Sequence, residues 1–96
     1  MGHGRRPRPE RLGEKLRQVR VQLLGNITQA EMADRLIRHG AEKTVHSGYV
    51  ADYENNGSRE PSLLALLAYS KMTGFTVNVF IDDARNLPSD LNRKRR

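Results

Sequence analysis

Three features of the 96-residue chain predict an all-α fold of about five short helices. Leu12, Leu16, Val19 and Leu23 recur at spacings of four, three and four, which draws one stripe along a helix. Thr28 to Glu31 reads T-x-x-E, and Pro61-Ser62 precedes an apolar run; both are helix-start signals. No stretch alternates apolar and polar residues long enough to build a sheet, and no internal repeat is visible.

Residues 1–9 begin M-G-H-G-R-R-P-R, without apolar periodicity, and are expected to form a flexible basic arm. Pro9 suits a first helical position, the apolar stripe follows, and Gly25-Asn26 ends the first helix. Thr28 caps the second helix, with Glu31 reciprocating. Met32, Ala33 and Leu36 face inward and Gly40 is the stop. After A-E-K-T, either His46 or Ser47 caps a short third helix whose Val50 and Tyr53 share a face at i, i+3. Asn55-Asn56-Gly57-Ser58 is a turn by composition. The fourth helix carries Leu63, Leu66, Leu67 and Tyr69 and stops at Gly74; at this spacing the run reads as core rather than as a partner surface. Thr76 caps a last short helix with Val77, Phe80 and Ile81, although T-V-N-V-F-I is β-rich and a strand is the alternative. Residues 10–84 are thus expected to form one domain and residues 85–96 a C-terminal extension with a basic tail.

This length supports one small core and predicts no second module with its own interior. There is no cysteine, which removes disulfide and thiolate chemistry, and no secretory apolar segment follows the basic start, so a cytoplasmic location is expected. The longest apolar stretch, Leu63 to Tyr69, is too short for a bilayer, and no membrane partner is expected. The formal charge of +6 suggests a nucleic-acid partner, but its distribution qualifies that. Residues 1–11 carry +3 and residues 93–96 carry +4, leaving −1 for residues 12–92. The folded part is near neutral, so charge alone marks no binding face.

The stretches L-G-E-K-L-R-Q-V-R, T-Q-A-E-M-A-D-R-L and V-A-D-Y-E-N-N-G-S-R-E-P-S-L-L-A-L-L, followed by M-T-G-F, occur in that order between Leu12 and Ile81. In order and spacing they resemble the Cro-repressor, or Xre-like, helix-turn-helix family. The resemblance implies a lambda-repressor-like DNA-binding domain. One departure is plain. In the family a glycine-valine turn usually follows the second helix almost at once, whereas here eight residues, Ile37 to Thr44, separate Leu36 from Val45. The expectation is a second helix continued to His39, then a longer loop through Gly40-Ala41-Glu42-Lys43.

The resemblance further implies double-stranded DNA as partner, with the third helix in the major groove and its N-terminal residues toward base edges. Those are His46, Ser47 and Tyr49; Gly48 permits close approach, and Asp52 lies one turn beyond Tyr49 on the solvent side. His46 or Tyr49 can donate to guanine or pack on a thymine methyl, and Asp52 can accept from cytosine N4. Each has a plainer reading: His46 and Ser47 as caps, Tyr49 as satellite core against the loop, Asp52 as a solvated position. In the family the glutamine that Gln29 matches binds a phosphate or braces the recognition helix. Lys43, Asn55, Asn56, Ser58 and Arg59 complete the DNA-contacting set as backbone contacts, with a plain polar turn as the alternative for the last four. Arg20 and Glu54 match the family's structural ion pair. The arginine-bearing arm is a candidate for the minor groove and the tail for phosphates, or both are solvated chain.

The expected function is therefore sequence-specific DNA binding by a prokaryotic, repressor-like homodimer. The alternative is an antitoxin-type or adaptor protein that binds a partner protein as well as DNA, suggested by the insertion and the short chain. Catalysis is not expected. His3, His39 and His46 have no cysteine or carboxylate cluster at metal-ligand spacing, and Ser47 beside His46 and Asp52 does not converge as a triad must. Neither metal nor cofactor is predicted, and too few aromatics are present for an RNA-stacking platform.

Overall fold

The computed structural model describes residues 9–87, which form α1 (Leu12–Gln18), a π-helical turn (Val19–Leu23), α2 (Gln29–Arg38), α3 (Ser47–Glu54), α4 (Leu63–Thr73) and α5 (Val77–Ile81). No strand occurs among the described residues. The arm at 1–8 and the tail at 93–96 lie outside them.

Helix α1 starts three residues later than Pro9 suggested, because its cap comes from elsewhere. The Asp83 carboxylate accepts the backbone N–H of Glu10 (2.9 Å) and Arg11 (3.0 Å), and those two bonds hold its pKa below the usual carboxylate range. Leu12, Leu16 and Val19 are buried as the stripe required, and Leu23 is half-buried. The expected single helix to Gly25 instead widens into the π-helical turn, where the Leu24 amide reaches back to the Val19 carbonyl at 2.9 Å.

In α2, Thr28 Oγ1 accepts from the Glu31 amide at 3.0 Å, as the capping motif predicts, while the Glu31 carboxylate is engaged by Arg35 Nε at 3.1 Å. Met32, Ala33 and Leu36 are buried. The helix ends at Arg38, and Gly40, at φ +112°, turns the chain in a backbone region that side-chain-bearing residues rarely adopt. The long connection that follows is pinned rather than loose. Ala41 and Val45 are buried in the core, and Glu42 Oε1 accepts from Ser62 Oγ at 2.8 Å.

His46, not Ser47, caps α3: its Nδ1 accepts from the Gly48 amide at 3.0 Å. Val50 and Tyr53 are buried as a pair. Ser62 caps α4 by accepting from the Ala65 amide at 3.0 Å. Here one expectation fails. Ala65, Leu66, Ala68 and Tyr69 are buried, but Leu63 is 85% exposed and Leu64 and Leu67 face solvent as well. The run is apolar all round, while the core covers only one side of the helix.

The β-rich segment is helical. Thr76 occupies the N-cap position, without a side-chain cap bond, and Phe80 is buried against Tyr69 and Phe75, with ring centroids 6.2 Å away in each case. Lys15, fully buried in α1, donates to the carbonyls of Val79 (2.8 Å) and Asp82 (2.9 Å) and so closes the C-terminal end of α5. Burial lowers its pKa from the ordinary lysine value. Tertiary contacts of this kind override a weak strand preference. The packed chain also continues past the expected boundary at residue 84: Leu87 joins the core at 8% exposure.

Candidate nucleic-acid interface

The relative placement of α2 and α3 depends on a buried polar clasp. Glu54, at the end of α3, has a side chain only 1% exposed. Its Oε2 accepts from Arg20 Nε at 2.7 Å and its Oε1 from Arg20 Nη2 at 3.0 Å, a bidentate pair. Gln29 Nε2 donates to the same Oε1 at 3.2 Å, and Arg20 Nη1 donates to the Ile27 carbonyl at 2.7 Å. The hydrogen bond to Glu54 raises the Arg20 pKa further above its ordinary value, against the opposing effect of burial. One carboxylate thus joins the π-helical turn, the start of α2 and the end of α3. Of the two roles weighed for Gln29, its amide nitrogen takes the bracing one.

The same end of α3 seats on α1 through Gly13. A Cβ at that position would lie 2.5 Å from the Glu54 carbonyl oxygen and 2.9 Å from Asn56 Oδ1, so only glycine admits the approach. Asn56 Nδ2 donates to the Glu10 carbonyl at 3.0 Å, which ties it to the start of α1. Asp52 is half-buried and lies over Gly57, whose amide donates to the Asp52 carbonyl at 2.8 Å. It belongs to this end and does not gather with His46 and Ser47. Asn55 and Ser58 are exposed.

The N-terminal end of α3 is different. His46, Ser47 and Gly48 are exposed, and Lys43 is exposed in the preceding connection. Tyr49 is half-buried and packs against the core; its ring meets His46 at 4.5 Å and Tyr53 at 6.5 Å between centroids. The guanidinium carbon of Arg59 stands 3.9 Å from the Tyr49 ring centroid, a cation–π contact that folds the loop back beside α3. His46, Ser47, Gly48, Tyr49 and Arg59 are therefore brought together, while Asp52, Asn55 and Asn56 stay with the opposite end.

Sequence reasoning missed Gly13, Lys15 and the Tyr49–Arg59 contact. A glycine inside a helical stripe is costly and signals a close approach, and Lys15 interrupts the apolar side of α1 between Leu12 and Leu16. The arginine contact had no local signal, since nine residues of helix and turn separate the partners.

Within residues 9–87 ten basic and ten acidic side chains balance, so the whole formal charge of +6 lies in residues 1–8 and 88–96. No cluster of three metal-ligating side chains occurs among the described residues, and none of their helices is long and apolar enough to cross a membrane. No protein-family model, curated protein or solved structure matches the chain.

Proposed function

We propose that this chain binds double-stranded DNA sequence-specifically as a repressor-like transcriptional regulator acting in the cytoplasm as a homodimer. In this reading α2 and α3 are the helix-turn-helix pair of a lambda-repressor-like domain, and α3 enters the major groove. The observation that carries it is the Arg20–Glu54–Gln29 clasp. It braces α3 from its C-terminal end across an unusually long connection and leaves the N-terminal end uncommitted and exposed. His46 Nδ1 is occupied by the Gly48 amide, so the neutral ring carries its proton on Nε2 and offers a donor outward, suited to guanine O6 or N7. Ser58 and Arg59 supply contacts to the sugar-phosphate backbone, and affinity leans on the basic arm and tail because the described domain is neutral.

The second copy has an apolar surface to cover. Leu63, Leu64, Leu67 and Ile81 are exposed, and Leu63 and Ile81 line a groove of about 510 Å³ together with Pro9, Leu12, Pro61 and Leu66. A two-fold dimer there would match a palindromic site with half-sites about one helical turn apart.

Selection from a random duplex library with the full chain tests the reading. The expected outcome is a two-fold symmetric motif; recovery of no motif, with equal affinity for a scrambled duplex, overturns it. Sedimentation of a Leu63→Glu/Leu67→Glu variant, expected to be monomeric where the parent is dimeric, tests the dimer surface.

A further inference from the structure

Arg59 follows α3 in sequence but lies beside it in space. Its guanidinium is stacked on Tyr49, and among the described residues no hydrogen bond or ion pair takes up its donors. Tyr49 is held in turn by the core beneath it and by His46 and Tyr53 at its sides. Stacking on a ring face orients a guanidinium while leaving its N–H donors, which lie in its own plane, available to a planar or bidentate acceptor. The position of Tyr49 decides which acceptor. It directly precedes the buried Val50 and is itself half-buried, so it sits on the flank of α3 rather than on the face opposite the core. When a helix lies in a groove, its outer face meets base edges and its flanks meet the sugar-phosphate walls.

We propose that Tyr49 is a positioning residue that acts on duplex DNA through Arg59, holding the guanidinium for one backbone phosphate. This rests on the DNA-binding reading above, and it moves Tyr49 from the base-reading set to the support of a phosphate contact. The ring face supplies the attraction, and the hydroxyl is dispensable.

The test uses the full chain, the duplex recovered by selection and a scrambled duplex, with affinities measured across a salt series. Arg59→Ala is expected to reduce the log–log salt slope by about 0.9, the signature of one lost phosphate contact. Tyr49→Leu keeps an apolar side chain on the core and is expected to weaken binding to both duplexes about two- to fivefold. Tyr49→Phe should bind as the parent does, and Tyr49→Leu/Arg59→Ala should be no weaker than Arg59→Ala alone. In the free protein, the ring current of Tyr49 should shift the Arg59 side-chain protons upfield; that shift should persist in Tyr49→Phe and vanish in Tyr49→Leu. A Tyr49→Leu loss confined to the selected duplex, or undiminished in the Arg59→Ala background, overturns the proposal, as does Tyr49→Phe behaving like Tyr49→Leu. A parent protein that binds neither duplex defeats the DNA reading and this inference together, whereas a binding parent with the wrong variant pattern defeats this inference alone.

Discussion

At its C-terminal end α3 is joined to three other segments by Glu54, Gly13 and Asn56, whereas at its N-terminal end a single side-chain cap and one ring stack hold exposed residues in place. The difference separates two demands on one short helix. Orientation is set where charges are buried and backbones touch, because displacing either is costly. In the proposed DNA-binding reading, recognition is left to groups whose donors have few partners within the protein. Such a helix can change its contact residues without losing its angle, and the two ends should respond oppositely to mutation.

The largest effect is expected from Glu54→Ala, which leaves Arg20 and Gln29 without their shared acceptor. Removing one partner of a buried pair costs about 3 kcal/mol, read as a lower denaturation midpoint. A midpoint within experimental error of the parent would show that the clasp does not hold this end.

Alkaline titration probes the same buried half. Burial raises Tyr53 from 10.0 to about 12 and Tyr69 in the same direction, and the Tyr69 hydroxyl has no hydrogen-bond partner among the described residues. A raised tyrosine pKa means that the folded state keeps a proton which the unfolded chain has released. Its stabilisation is therefore complete below pH 10 and is lost as pH rises toward the folded value of about 12. Stability should fall by about 1.4 kcal/mol per pH unit per buried tyrosine across that window. Tyr53→Phe should flatten the dependence, and an unchanged slope would exclude Tyr53 as its source. Lys15 acts the other way: its lowered pKa makes stability rise with pH until the unfolded lysine value of 10.5 is passed.

Gly13→Ala sharpens the comparison sterically. Its Cβ would collide with the Glu54 carbonyl, and overpacking of this kind costs about 2 kcal/mol even though alanine is the better helix former. A stabilised variant would mean that the α1–α3 contact gives way easily. The smallest stability effect belongs to the other end. His46→Ala removes the α3 cap and should cost about 1 kcal/mol or less by thermal melting, while weakening DNA binding more than Gly13→Ala does in protein that is still folded. The reverse ranking would locate recognition elsewhere.

Much of the domain was legible because its signals are short-range. Thr28, His46 and Ser62 cap helices that begin where their neighbours' periodicity begins, and Gly40 and Gly74 end α2 and α4. The Arg20–Glu54 pairing and the bracing role open to Gln29 were anticipated through the family resemblance, not through spacing. Less legible was the fourth helix, where leucines at similar spacings divide between core and solvent according to how much of the helix its neighbours cover. The site residues divided in the same way. His46 to Tyr49 stayed together because they are consecutive, whereas Asp52 and Asn56 were drawn to Gly57 and Glu10 by contacts that no local pattern announces.

The amino-acid sequence by itself determined where α2, α3 and α4 start and which stripes α1 to α3 bury, since caps and side-chain periodicity act within about four residues. Only the tertiary structure decided that Asp83 caps a helix 72 residues away, that Lys15 closes α5, that Arg59 returns to Tyr49, and that the second leucine face of α4 stays bare. Those outcomes depend on which surfaces meet once the chain has packed, and that is a property of all the elements together.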